Sequence, residues 1–521
     1  MSLGAELNSS CKATLAFQET LSRMDETVPQ ASVSQKLARG AGWIMASRIA
    51  VNAISFASSI ILARLLVPED FGLVAIAVGV SAIAGALTTL PISEALIRLD
   101  HIEDDHFNSA FTLGLIRSVL LTIAIVLAAG AVAHAYNDDR LIPVMLALAV
   151  EALIGGFYSS RWALLQKRLS FGPAAFAGLA IRLVGSASAV LIAYYYANYW
   201  AIIIPIVLAK ICNVVLTHIF APHRLRLCFT KIPEIWGFSG WMTLSAVLRT
   251  VGTRLDSLII GAVLGQRAAG YYSYGDDKAA LPTRELSAPL LSLLFPGLAA
   301  VNSNPDRLAS AYKRLQTTVF ATCAPFGIGF ALVSDMFVHV LLGDKWAPII
   351  PIMQVLAVAL ALENLVIGAA PLAMAMGFTR RLFIRDVVVF VGRAPLIVAG
   401  ALMYGIPGLL AARALALVWY LAQYLVLAKR IANIPVRDQL AGCGRSIAAL
   451  TAMAVGVTLF KNALPQDSVK AIGALFATVI FGGTLYTIAH AALWLLSGRP
   501  DGPEKEVLTI VGGAVRRTAM R

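Results

Sequence analysis

The sequence predicts an all-α polytopic membrane protein: two six-helix bundles followed by two further helices, about fourteen crossings in all. Three observations carry that expectation. Of 521 residues, 59% are hydrophobic and only 14% charged, with a mean hydropathy of +0.77, which leaves too little polar surface to cover a soluble globule. Apolar windows of span length recur along the whole chain. A polar stretch near the middle, PHRLRLCFTKIPEIW, separates two halves that echo each other.

The first half supplies windows at Gly40–Leu66, Leu73–Ile97, Phe107–Ala135, Ile142–Trp162, Gly172–Tyr196 and Tyr199–Phe220. The second supplies Ser239–Leu264, Ala269–Val301, Leu315–Val333, Ile349–Met376, Leu382–Tyr404 and Gly408–Leu427, and Cys443–Phe460 and Ala471–Leu496 close the chain. Each is long enough to cross a bilayer as a helix. The expected divisions are a cytoplasmic tail at 1–36, a first lobe at 37–221, a cytoplasmic linker at 222–237 and a second lobe at 238–429. Two extra helices at 430–497 and a cytoplasmic tail at 498–521 complete the chain. Residues 1–36 lack the apolar core and cleavage site of a signal peptide.

The net charge of +13 would suggest nucleic acid in a soluble protein. Here most cations fall in alternate loops, which is an orientation signal, and no nucleic-acid partner is expected. One side carries Lys36, Arg39, Arg98, Arg161, Lys167, Arg224, Arg226, Lys231, Arg307, Arg380, Lys429 and others; the other has only Arg64, Arg140, Arg267, Lys345, Lys461 and Lys470. The crowded side is therefore read as cytoplasmic, with both termini inside. Five scattered cysteines and seven histidines form no metal-ligand pattern, so no cofactor or metal and no catalytic residue is expected.

Shifting the sequence by 198 residues superposes Gly42 on Gly240, Trp43 on Trp241, Ser47 on Ser245, Ser59 on Ser257, Ile61 on Ile259, Leu66 on Leu264, Gly72 on Gly270 and Pro91 on Pro289. Six crossings per repeat keep both halves in the same orientation, related by a pseudo-two-fold axis along the membrane normal. Two such bundles enclose a central cleft, the arrangement that alternating access requires.

The run ILARLLVPEDFGLVAIAVGV at Ile61–Val80, with ISEALIRLD at Ile92–Asp100 and DDHFNSAFTLGL at Asp104–Leu115, resembles the bacterial polysaccharide repeat-unit flippases of the MATE-like MOP exporter superfamily. So does RLDSLIIGAVLGQRAAGYYSYGDDKAALPTRELSAPLLSLLFPGLAAV at Arg254–Val301. The resemblance implies a MATE-like arrangement of the two bundles in the bacterial inner membrane. It implies export of an undecaprenyl-pyrophosphate-linked oligosaccharide to the outer leaflet for exopolysaccharide or related glycan. The partners it implies are that lipid-linked oligosaccharide, membrane lipids, a polysaccharide polymerase and the export machinery. A MATE-like cation or drug exporter and a peptidoglycan-precursor flippase are the alternatives. A membrane glycosyltransferase is disfavoured, because the windows leave no large external loop in which to assemble acids, bases or a metal.

Candidate site residues come from charge at membrane depth, which is costly unless it faces water or a partner. Arg48, Asn52, Arg249, Arg254, Lys278, Arg284 and Arg393 are read as cargo-binding, since guanidinium groups donate paired hydrogen bonds to pyrophosphate. For Arg48, Lys278 and Arg284, interhelical pairing or snorkelling is the competing reading. Arg117, Arg182, Lys210 and Arg413 are further candidates in apolar windows, and Glu94 and Glu151 are read as interfacial. Asp256, Glu285 and Glu363 are candidates for coupling to H⁺ or Na⁺; alternatively they neutralise arginines, with Arg249 or Arg254 serving Asp256. Tyr271, Tyr272 and Tyr274 either stack on sugars or anchor the membrane interface, and Tyr194, Tyr195 and Tyr196 read as interfacial belt. Pro282, Pro289 and Pro296 are expected to interrupt the eighth helix.

Overall fold

A computed structural model describes residues 33–89, 92, 96, 102–167, 171–223, 226–232, 240–300, 305–465 and 472–499. Residues 1–32 of the expected N-terminal tail, Glu94, the end of the linker and most of the C-terminal tail lie outside these. The first lobe comprises α1 (Val33–Leu65), α2 (Pro68–Leu87), α3 (Asp104–Tyr136), α4 (Leu141–Gly155), α5 (Phe171–Tyr196) and α6 (Trp200–Phe220). The second comprises α7 (Gly240–Leu264), α8 (Gln266–Ala300), α9 (Pro305–Phe337), α10 (Ile350–Glu363) and α11 (Thr379–Ala432), and α12 (Gly444–Ala463) and α13 (Ile472–Leu496) follow. Short helical turns join several of these, and no strand occurs among the described residues.

Each expected window meets a helix, and local chemistry explains the boundaries. Helix α2 starts with Pro68 in its first turn beside Glu69 and Asp70, where a missing N–H costs nothing and acids favour the positive helix end. Helix α3 ends at Asn137 in the left-handed region. The two expected windows at 382–404 and 408–427 form the legs of α11, which turns at Gly405 with φ of +62° just before Pro407. Helix α8 runs unbroken from Gln266 to Ala300, so Pro282, Pro289 and Pro296 do not interrupt it: a helix absorbs a lost N–H where its neighbours hold its path.

By length and apolarity, ten helical stretches among the described residues qualify as membrane spans. Helices α7 and α8 do not qualify, α7 because every span-length window within it contains Arg249, Arg254 and Asp256, and α4 is too short. Outward-facing rows such as Ile116, Leu120, Ile123 and Leu127 on α3 are exposed at helical spacing. In water such a stripe would be an aggregation surface, whereas lipid covers it. The chain is a multi-pass membrane protein.

The pseudo-two-fold expected from the repeat is visible in one close crossing. A Cβ on Gly72 would sit 1.8 Å from the Gln266 carbonyl oxygen, and a Cβ on Gly270 would sit 1.8 Å from the Pro68 carbonyl oxygen. Both pairs are related by the 198-residue shift, so the contact is reciprocal across the axis. Glycine permits it because the backbones themselves touch.

The largest cluster of buried apolar side chains joins both lobes at this end, drawing on Leu73 and Ile76 of α2, Ile260 of α7, Tyr272 of α8, Trp346 and Ile352. Around it the lobes cap each other's helix ends. Lys345 Nζ donates to the Arg64 and Leu66 carbonyls at 2.8 Å, and Trp346 Nε1 donates to the Ala63 carbonyl at 2.8 Å. In return Arg64 donates to the Leu341 and Val340 carbonyls. The last carbonyls of a helix lack intrahelical partners and attract cations, so these side chains bind one lobe to the other.

At the opposite end, the described apolar clusters belong to one lobe each. Leu298, Tyr312, Phe320 and Tyr424 pack within the second, and Phe107, Leu113 and Ala163 within the first. The described apolar contacts between the lobes are thus gathered at the Arg64 end. Helices α12 and α13 pack on the outside of α9, through Lys461 with Asp335 at 2.7 Å and Tyr486 Oη donating to the Ala321 carbonyl.

One part of the seal is polar. Arg140 pairs with Asp138 at 2.7 Å, and Gln266 of α8 donates to the same carboxylate. Partial burial raises the Asp138 pKa, but the hydrogen bonds from Arg140 and Gln266 outweigh it and hold the carboxyl below its usual range. A depressed folded-state value means this stabilisation is fully present above the ordinary carboxylate pKa of about 3.9 and is lost as pH falls through the lower value. Lobe closure, read by cross-linking a cysteine pair placed across this end, should therefore stay flat from about pH 8 to 5; a loss near pH 6 would contradict this account.

Candidate functional site

The charges on α7 and α8 sort onto two faces. On α7, Arg249, Gly252, Thr253 and Asp256 line a cavity inside the second lobe. Arg254 lies one turn before Leu258, whose side chain rests against Gly79 of α2, so it shares the face turned to the first lobe. It is exposed and has no ion pair among the described residues.

The cavity measures about 330 Å³ and is walled by α7, α8, α10 and α11. Four arginines (Arg249, Arg284, Arg393, Arg413) and four carboxylates (Asp256, Asp276, Glu363, Asp386) line it, with Phe390, Tyr420 and Tyr424. Asp256, 2% exposed, is the hub: Arg393 donates to its Oδ2 at 2.5 Å, Tyr272 Oη donates to the same oxygen at 2.8 Å, and Arg413 Nε lies 3.8 Å away. Arg249 reaches Asp386 at 3.2 Å, and Arg385 holds the other oxygen of that carboxylate at 2.6 Å while lying over the Tyr424 ring. Glu363 stands near Arg413 and Tyr420 without a direct ion pair among the described residues.

Between the lobes a second group forms. Glu285 of α8 accepts from Asn52 Nδ2 at 2.5 Å and lies 3.5 Å from Arg48 Nε, both on α1. Arg284 spans the two groups, since it lines the cavity and lies 3.6 Å from Asp277 and 3.9 Å from Glu285. Lys278 is buried over the Tyr274 ring, 2.9 Å from Asp277.

Several expectations change. The central cleft between the bundles is where the cargo-binding cations are expected; the cavity they line in part lies within the second lobe, with four arginines and four carboxylates in its wall. Arg393, expected on cargo, is bound to Asp256, because a buried carboxylate recruits any guanidinium within reach. Neither Arg249 nor Arg254 serves Asp256. Lys278, expected on cargo, faces Tyr274 and Asp277 rather than open space. Tyr271, Tyr272 and Tyr274 are neither sugar platform nor interfacial belt: all three are buried and bridge elements through the Lys345 carbonyl, Asp256 and the Ser59 carbonyl. Tyr194, Tyr195 and Tyr196 are exposed, as a belt requires. In the first lobe Arg117 reaches the Gly85 carbonyl, Arg182 is exposed, and Lys210 pairs with Glu151 at 2.7 Å, which places Glu151 inside the lobe rather than at its edge. Asp276 and Asp386 were missed as site residues; their only signal in the sequence was charge within or beside an apolar window.

The polysaccharide biosynthesis protein family model matches residues 61–351, a stretch that includes α2 through the start of α10 and half of the charged residues that line the cavity. The lipopolysaccharide biosynthesis protein WzxC of Escherichia coli (strain K12) is 23% identical over 335 residues, covering 63% of this chain and 67% of that one. Among solved structures, the lipid II flippase MurJ in an inward closed conformation superposes with a TM-score of 0.68 at 14% identity, over 87% of this chain and 98% of that one. An inward-facing multidrug resistance MATE family transporter of the MOP superfamily gives 0.55 at 13% identity, over 73% and 94%. These likenesses establish the expected MATE-like fold. With more than half its length matched, the chain belongs to the polysaccharide biosynthesis protein family.

Proposed function

We propose that this protein moves an undecaprenyl-pyrophosphate-linked oligosaccharide repeat unit from the inner to the outer leaflet of the bacterial inner membrane by alternating access, for exopolysaccharide or a related surface polysaccharide. The observation that carries the reading is the asymmetry of the lobes, whose described apolar contacts are gathered at the Arg64 end, with Arg48, Arg254 and Arg284 on the side that faces between them. The sealed end, poor in cations, is then periplasmic and both termini are cytoplasmic. The pyrophosphate meets these arginines from the cytoplasm, and the polyprenyl tail stays in lipid.

Glu285 is the coupling residue in this scheme. It is held by α1 through Arg48 and Asn52 and approached by Arg284 from α8, so a proton or sodium ion that takes its charge frees the first lobe to move. Asp256 is less suited, because its arginines already neutralise it. A cation or drug exporter would be favoured by an excess of carboxylates, and the cavity has none. The polymerase and export machinery act on the product on the far side.

Proteoliposomes holding the full chain test the reading. Undecaprenyl pyrophosphate carrying a short glycan should become accessible to an external glycosidase at least tenfold faster than in empty vesicles. Arg48→Ala, Arg254→Ala and Arg284→Ala should each slow this about tenfold or more, while purified yield and thermal stability stay near wild type. Unaltered rates in all three would remove them from the mechanism.

A further inference from the structure

We infer that the cavity inside the second lobe is a saccharide subsite that takes an uncharged sugar of the lipid-linked cargo, beside the arginines that face between the lobes and sharing Arg284 with them. The inference rests on the flippase reading and adds where the glycan goes.

Charge balance decides the ligand class. Four arginines would hold a pyrophosphate well, but four carboxylates in the same wall repel it; those carboxylates would hold a cation, but the arginines oppose it. What remains welcome is a neutral molecule rich in hydroxyl groups, because each hydroxyl both donates and accepts. Thr253 and the half-exposed Arg249 and Arg284 add donors at the open side.

Shape agrees with this. The volume of about 330 Å³ falls within the roughly 300–1,000 Å³ usual for small-ligand sites. Phe390 and Tyr420 supply ring faces, against which the C–H face of a pyranose packs while its hydroxyls meet the charged groups. Arg284 connects the cavity with Glu285, which Arg48 and Asn52 approach from α1, so a sugar in the cavity and a pyrophosphate between the lobes can belong to one molecule.

The test uses the full chain in nanodiscs and measures affinity for undecaprenyl pyrophosphate, bare or carrying one glucose, galactose or N-acetylglucosamine. Wild type should bind at least one glycosylated lipid about tenfold or more tighter than the bare lipid. Ala416→Phe, which fills the cavity, should cut that preference below twofold, and Phe390→Ala, which adds no bulk, should cut it to between two- and fivefold. Wild type that binds the bare lipid yet gains less than twofold from every sugar overturns the subsite and leaves the flippase reading standing. A tenfold preference retained by folded Ala416→Phe also overturns it. Wild type that binds none of these lipids overturns the flippase reading itself.

Discussion

Gly72→Ala and Gly270→Ala are each expected to stop transport, with a loss of at least tenfold, and to open the sealed end of the molecule. The new Cβ would lie 1.8 Å from a backbone carbonyl of the facing helix. No rotamer relieves that clash, because the obstructing atom is main chain; α2 and α8 would have to separate by roughly 1 Å or more to reach van der Waals distance. Separation there strains the reciprocal caps made by Lys345, Trp346 and Arg64, which need hydrogen-bond distances near 2.8 Å. The lobes should then rest apart at this end. A cysteine at Ala63, buried in the native seal, should go from unreactive to labelled by a membrane-impermeant maleimide. Gly79→Ala is the control: its Cβ would meet only the flexible Leu258 side chain at 3.2 Å, so it should retain most transport. Normal activity and an unlabelled Ala63→Cys in the Gly72 or Gly270 variants would show that the crossing is not a fixed part of the cycle.

Asp256→Asn is expected to be the most destabilising polar substitution in the second lobe. It removes the charge that Arg393 and Arg413 share, leaving two cations in a membrane-depth wall with no direct ion-pair partner. Breaking a buried ion pair from one side costs about 3–5 kcal/mol. Arg393→Met should cost less, about 1–3 kcal/mol, because Asp256 keeps Arg413 and the Tyr272 hydroxyl. Thermal unfolding of the detergent-solubilised chain should therefore rank wild type above Arg393→Met above Asp256→Asn. Equal melting of all three would mean that water, rather than these side chains, satisfies the groups.

The fold was legible because membrane helices announce themselves locally. Windows of apolar residues, the alternation of Lys and Arg between loops and the 198-residue echo need no knowledge of packing, and Gly72 and Gly270 meet across the axis that the echo implies. The prolines of α8 misled because a proline's effect depends on the neighbours that hold the helix, which a single segment does not reveal. The tyrosines near the start of α8 misled for a similar reason: their proximity to a helix end suggested an interface, yet Lys345, Trp346 and Asp256 of their own lobe and Ser59 of the facing one enclose them.

The sequence by itself determined that this is a two-lobed helical membrane protein, which helices carry charge, and that the second lobe carries most of it near the cleft. Only the tertiary structure decided which charge meets which. Helical periodicity fixes a side chain's direction relative to its own axis, about 100° per residue, but not the rotation of that axis against its neighbours. So Arg249 and Arg254 stand close to Asp256 in the chain, while its ion-pair partners come from the two legs of α11, brought together by packing that no single helix encodes.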